Sequence, residues 1–135
     1  MQITALELLT KLVLAVLLGG LIGYEREIHG KPAGLRTHIL ICLGSALFTA
    51  LSMSFPGNVD PSRIASGIVT GVGFLGAGAI FRAKDHVEGL TTAADLWVIS
   101  GIGLAIGMGL YDESVIAAVF VFIVLFLKSY FYKKK

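Results

Sequence analysis

Charge is what this sequence is shortest of. Asp, Glu, Lys and Arg make up 15% of its 135 residues, against about 25% in an ordinary soluble domain. The net charge of +2 is too small, and too close to the edges of apolar runs, to serve a nucleic-acid surface. Cys42 is the only cysteine, which excludes an internal disulfide, and its apolar surroundings mark it as a small buried side chain. No Cys-x-x-Cys or His-x-x-x-His spacing is present, so His29, His38 and His86 read as loop histidines rather than transition-metal ligands. No nucleophile stands with a base, and no Gly-rich stretch ends in Gly-Lys-Ser/Thr, so no enzyme is expected. The opening Met1-Gln2-Ile3-Thr4 lacks the basic start of a signal peptide. The first apolar run ends in Glu25-Arg26-Glu27 instead of a small-residue cleavage site, and it is expected to be retained as a helix.

What the sequence does hold is apolar. Hydrophobic residues make up 56% of it, and its mean hydropathy is +0.85. A hydrocarbon layer of about 30 Å takes roughly 20 helical residues to cross. The apolar runs provide five such crossings, at residues 3–24, 38–55, 64–81, 90–110 and 115–132. The expected fold is all-α: a single domain of about five transmembrane helices that uses up the chain, with no C-terminal soluble domain. Glu7 and Lys11, spaced i,i+4 with the acid first, can pair on one face of the first helix.

Lys and Arg collect in cytoplasmic loops. Arg26, Lys31 and Arg36, then Arg82 and Lys84, then Lys128 and Lys133 to Lys135, place nine of the eleven on one side; Lys11 and Arg63 are the other two. That asymmetry predicts an N-terminus outside and a C-terminus in the cytoplasm. Tyr130, Phe131 and Tyr132 beside the terminal lysines fit an aromatic belt at the cytoplasmic face.

Glycine is abundant, with 17 residues. In lipid it lets helix backbones approach closely, in place of a hydrophobic driving force. Small-xxx-small spacings occur at Gly19 and Gly23, Gly67 and Gly71, and Gly103 and Gly107, and the third span adds Gly73, Gly76 and Gly78. These positions predict tight helix packing, and a homodimer is expected from them. Gly23, Gly34-Leu35 and Thr37 recur 55 residues later as Gly78, Gly89-Leu90 and Thr92, the mark of a parallel repeat of two hairpins.

Three polar groups interrupt this background. On the outer side, Asp60 reads as an N-cap with Pro61 at the first helical position, followed by Arg63. On the inner side, Glu25, Arg26 and Glu27 end the first helix and Arg36, Thr37 and His38 open the second. Thr91, Thr92 and Asp95 open the fourth, where Thr92 and Asp95 have the spacing of a capping box and Thr37 can cap likewise. Asp95 would lie about a turn inside its span, where an unpaired acid costs about 2.5–3.5 kcal/mol on insertion scales at the centre. An arginine should therefore meet it, with Arg36 or Arg82 first in line and Arg26 the third candidate. Glu25, Arg26, Glu27, Arg36, Arg82, Thr91, Thr92 and Asp95 form the candidate functional cluster, either a set of caps and ion pairs or a ligand site.

The runs Gly23-Tyr24-Glu25-Arg26-Glu27, Ala33-Gly34-Leu35-Arg36-Thr37-His38, Asp60-Pro61-Ser62-Arg63-Ile64-Ala65, Gly71 to Gly78 and Gly89-Leu90-Thr91-Thr92-Ala93-Ala94 together resemble the membrane domain of the MgtC/SapB family, which includes YhiD-type proteins. The resemblance covers roughly residues 19 to 111. It implies a multi-pass protein of the bacterial inner membrane connected with magnesium limitation. It also associates one branch with inhibition of the membrane ATP synthase. The chain departs from that branch by ending at Lys135, without the cytoplasmic domain many members carry, and at Asp95, to which the family pattern gives no role. Two function classes follow: a regulatory or interaction module, and a transporter or channel for a cation or small solute. No cofactor is expected; Mg²⁺, which takes oxygen ligands and keeps waters, is a ligand the acids permit.

Overall fold

The computed structural model describes residues 3–57, 60–82 and 85–132, with side chains as far as Leu127. Lys84, Lys133 to Lys135 and the side chains of residues 128–132, including the aromatic belt, lie outside the described residues. Five helices follow in order: α1 (Ala5–Ile28), α2 (Leu35–Met53), α3 (Pro61–Gly78), α4 (Leu90–Met108) and α5 (Tyr111–Tyr132). Among the described residues α1, α2 and α4 are long and apolar enough to cross a membrane. Large apolar side chains turn outward, the extreme being Phe74 at 81% exposure. Such contiguous apolar surface is what a bilayer, not water, would cover.

Helices α2, α3 and α5 begin three or four residues before the apolar runs do, and for α2 and α3 caps outside those runs start them. Asp60 caps α3 by accepting from the Ser62 N–H at 2.9 Å, with Pro61 at the first position. The capping expected of Thr37 and Thr92 is not found. Gly34 and Gly89 occupy the N-cap positions of α2 and α4 without a side-chain bond. Glu27 reaches across from the end of α1 and accepts from the Leu35 N–H at 2.7 Å, so α1 supplies the cap of α2. Between α3 and α4 the chain forms a short antiparallel hairpin, β1 (Phe81–Arg82) with β2 (Val87–Glu88), which the apolar pattern does not announce. Gly89 closes it at φ +86°, where an added Cβ would run into the Ala79 carbonyl, so only glycine fits.

Helices α1, α2 and α4 make the centre. Each buries a stripe at helical spacing: Lys11, Ala15, Leu18, Gly19, Ile22, Gly23 and Arg26 on α1; His38, Cys42, Ser45, Ala46, Thr49 and Ala50 on α2; and on α4 a run from Thr92 and Asp95 through Ile99, Gly103 and Ile106 to Gly107. Gly19 and Gly23 lie against α2: a Cβ on Gly23 would stand 2.8 Å from the His38 Cβ. Gly103 lies on the Cys42 carbonyl, and a Cβ on Gly107 would meet Thr49 Cβ at 2.5 Å. Helices α2 and α4 run in the same direction and in step. The Ser45 hydroxyl donates to the Ser100 carbonyl at 2.6 Å, two positions related by the 55-residue repeat offset.

Helix α5 covers the core with Ala118 and Leu125. Helix α3 packs mainly through Val72, with Ala79 just beyond its end, against Leu96 and Ala33. Of the α3 glycines only Gly76 approaches a neighbour, with a Cβ there 3.4 Å from the Ala93 carbonyl. Gly67, Gly71, Gly73 and Gly78 face open space within this chain. The spacing permits close approach by a helix of this chain or of a second copy, and within this chain only Gly76 of the α3 glycines is approached among the described residues. Gly103→Ala and Gly107→Ala should each lower stability by about 1–3 kcal/mol, the usual cost of overpacking. Gly71→Ala in the detergent-solubilised monomer should leave stability unchanged or raise it by about 0.5–1 kcal/mol, the helix preference of Ala over an uncrowded Gly. Denaturation in detergent checks both.

Candidate functional site

At the end of the core where α1 stops and where α2 and α4 start, each buried stripe terminates in a polar residue. Arg26 occupies the last turn of α1, His38 the first turn of α2, and Thr92 with Asp95 the first turns of α4. The close approach at Gly19 and Gly23 brings α2 near enough for these side chains to meet. Asp95 Oδ2 lies 3.4 Å from Arg26 Nε and 2.9 Å from His38 Nε2. Arg26 Nη2 donates to the Thr92 hydroxyl at 3.0 Å, and Arg26 Nη1 stands 3.8 Å from Glu25 Oε2. The side chains of Arg26, Asp95 and His38 are 4%, 2% and 0% exposed.

A buried ion pair survives only when its charges compensate each other and its hydrogen-bonding groups find partners. Arg26 and Asp95 oppose each other directly, and Glu25 stands between Arg26 and His29, whose Nδ1 lies 3.1 Å from Glu25 Oε1. Hydrogen bonding is not complete. Among the described residues Glu25 Oε2, Arg26 Nε and Asp95 Oδ1 are buried without a hydrogen-bond partner. The cluster therefore keeps spare donor and acceptor capacity, which native structures leave in few buried groups.

This geometry corrects several expectations. The arginine that meets Asp95 is Arg26; Arg36 is exposed on α2 and Arg82 is exposed in β1. Arg36 falls off the buried stripe of α2, and the hairpin carries Arg82 away from the core. Thr92 does not form a capping box with Asp95, because its hydroxyl is taken by Arg26. Thr91 is exposed, and Glu27, also exposed, serves the start of α2. His38 is no loop histidine. Because α2 already starts at Leu35, His38 lies a turn inside the helix and is fully buried. Its place at the head of the stripe of Cys42, Ser45, Ala46 and Thr49 was the sequence signal for it. The other two histidines keep local partners: His29 on Glu25 and His86 at 2.9 Å from Glu88.

The opposite end of the core holds a second polar contact. Lys11 is buried, pairs with Glu7 at 3.0 Å and donates to the Gly107 carbonyl at 2.9 Å. That places a cation on the carbonyl end of α4, where the helix dipole favours it. Asp60 and Arg63 lie on the surface at the start of α3 and are not joined to either cluster. The Ser62 hydroxyl at 2.7 Å and the Ser62 N–H hold the Asp60 carboxyl below its ordinary value, and the nearby Arg63 adds to this. Among the described residues no three of His, Cys, Asp and Glu come together as metal ligands.

Removing one member of a buried pair strands the other, typically at about 3–5 kcal/mol. Asp95→Ala and Arg26→Ala should each cost about that much, and Asp95→Glu less. Arg36→Ala and Arg82→Ala should stay within about 0.5 kcal/mol, as changes at exposed positions do. Equilibrium unfolding in detergent separates the two groups.

Comparison with known proteins places this geometry in a family. The MgtC family model matches residues 12–134. The YhiD protein of Escherichia coli (strain K12) is 48% identical over 128 residues, covering 88% of this chain and 59% of the relative. Protein MgtC of Brucella abortus (strain 2308) is 47% identical over 107 residues, covering 79% and 45% respectively. Protein SapB of Bacillus subtilis (strain 168) is 42% identical over 126 residues, covering 87% and 54%. The chain thus spans about half the length of the curated relatives it matches. No solved structure matches it. Its sequence similarity, over most of its length, settles that the chain belongs to the MgtC family.

Proposed function

We propose that this chain is a regulatory or interaction module of the bacterial inner membrane that serves magnesium homeostasis. It would cross the bilayer five times, N-terminus outside and C-terminus in the cytoplasm. The observation that supports the module reading is the position of Arg26. Both acids inside the core, Glu25 and Asp95, lie within 4 Å of its guanidinium. A divalent cation entering there would meet a fixed positive charge, and desolvating Mg²⁺ demands strong compensating oxygen ligands. Asp60, the acid of the other face, stands apart on the surface.

Partner contact falls to the outer side of the bundle. Between α2 and α3 runs a groove of about 580 Å³ lined by Gly44, Phe48, Gly67, Ile68, Gly71 and Leu75. Its small residues suit a helix from a second copy, which makes a homodimer the simplest assembly. Another membrane protein, such as the ATP synthase named by the family resemblance, would use the same kind of surface.

The name of the Escherichia coli YhiD relative proposes magnesium transport, and that reading is the direct competitor. Liposomes containing only the purified protein should take up Mg²⁺ no faster than protein-free vesicles, while reporters fused after Lys31 and Asp112 in cells should read cytoplasmic and external. Uptake that Asp60→Asn abolishes would establish transport instead, and an external Lys31 reporter would reverse the orientation.

A further inference from the structure

The hydrogen bonds of His38 fix where its protons can be. A backbone carbonyl only accepts, so the ring Nδ1, 2.8 Å from the Gly34 oxygen, carries a hydrogen. The other nitrogen, Nε2, stands 2.9 Å from Asp95 Oδ2. At that distance two lone pairs cannot face each other, so a proton lies between them. It sits on Nε2, giving imidazolium and carboxylate, or on Oδ2, giving neutral imidazole and carboxylic acid. The pair has no net charge in either case.

We propose that His38 and Asp95 form a proton-binding site, and that α2 is latched to α4 and α1 only while its one shared proton is bound. Every charged or titratable group facing the site enters the argument. From α1 come Arg26 and Glu25, with His29 on the far side of Glu25 at 3.1 Å, from α4 Asp95 with the Thr92 hydroxyl, and from the start of α2 the Gly34 carbonyl. With the proton bound, Arg26 and His38 balance Glu25 and Asp95 in the imidazolium form. In the neutral form Arg26 balances Glu25, so the sum is zero either way.

Losing the proton leaves a carboxylate against an imidazole lone pair and one negative charge in excess. Gaining a second, on Asp95 or Glu25, leaves one positive charge in excess. Neither excess can be screened by water, because no side chain of the quartet is more than 10% exposed. A buried uncompensated charge is what the low-dielectric interior tolerates least. Proton loss is therefore coupled to opening of the latch. Access is at hand: His29, 43% exposed, contacts Glu25 and links the quartet to the aqueous edge at the α1–α2 loop.

The test uses the full chain in detergent or bilayers with ¹⁵N-labelled histidine. His38 is identified by elimination with the exposed His29→Gln and His86→Gln, and the Asp95 carboxyl band in the infrared by its shift in Asp95→Glu. In the intact protein we expect Nδ1 protonated and one proton between the partners: either an imidazolium with an ionised Asp95, or a neutral ring with a protonated one. As pH is raised, loss of that proton and a fall in the exchange protection of the first turn of α2, taken relative to the base-catalysed intrinsic rate at each pH, should share one midpoint. A neutral His38 ring opposite an ionised Asp95 in the intact protein would overturn the proposal. So would proton loss that leaves those protection factors unchanged.

Discussion

Burial of the Arg26 guanidinium constrains the rest of this structure. A charge placed among helices that face lipid must be matched within a few ångströms, and it cannot move to water without leaving the core. Asp95 supplies the opposite charge from α4, Thr92 takes one of the guanidinium donors, and His38 from α2 closes on Asp95 from the other side. Three helices are thereby fixed in level at one end. The glycines make the contact possible rather than strong. Gly19 and Gly23 let α1 lie on α2, and Gly103 and Gly107 let α4 lie on α2, so that short side chains can span the gaps.

The other end of the same three-helix core is held differently. Lys11 uses its length to reach the Gly107 carbonyl while Glu7 offsets its charge. Between the two polar ends lie Ala15, Ile22, Cys42, Ala46, Ile99, Ile102 and Ile106, all buried. Helices α5 and α3 are added to this core, α3 with most of its glycines facing outward among the described residues. Two kinds of surface result: a closed polar core that suits regulation, and an open small-residue face that suits a partner.

Much of this was legible in the sequence, and the exceptions have physical reasons. The cap at Asp60 and Pro61 depends on adjacent residues alone and is found as read. The Glu7–Lys11 pair depends on one helical turn and is likewise present. That Asp95 needs an arginine also followed from its depth. Which arginine it meets depends on helical phase: Arg26 continues the spacing of Lys11, Ala15, Leu18 and Ile22, whereas Arg36 lies off the stripe headed by His38. Loop position alone could not distinguish them. The β1–β2 hairpin escaped notice because strands of two exposed residues leave no periodic pattern. Whether Gly67 and Gly71 face a helix of this chain or of a second copy stayed open in the sequence, because spacing tells how near a helix can come, not whether one is there.

If Arg26 and Asp95 hold the core as one unit, their contributions cannot be independent. A double-mutant cycle with Arg26→Gln and Asp95→Asn measures this directly. The double variant should be more stable than the sum of the two single losses implies, by a coupling of about 1–3 kcal/mol, within the range seen for residues in one ionic network. Additivity to within about 0.5 kcal/mol, as found for independent sites, would mean that the two side chains lie near each other without supporting the fold.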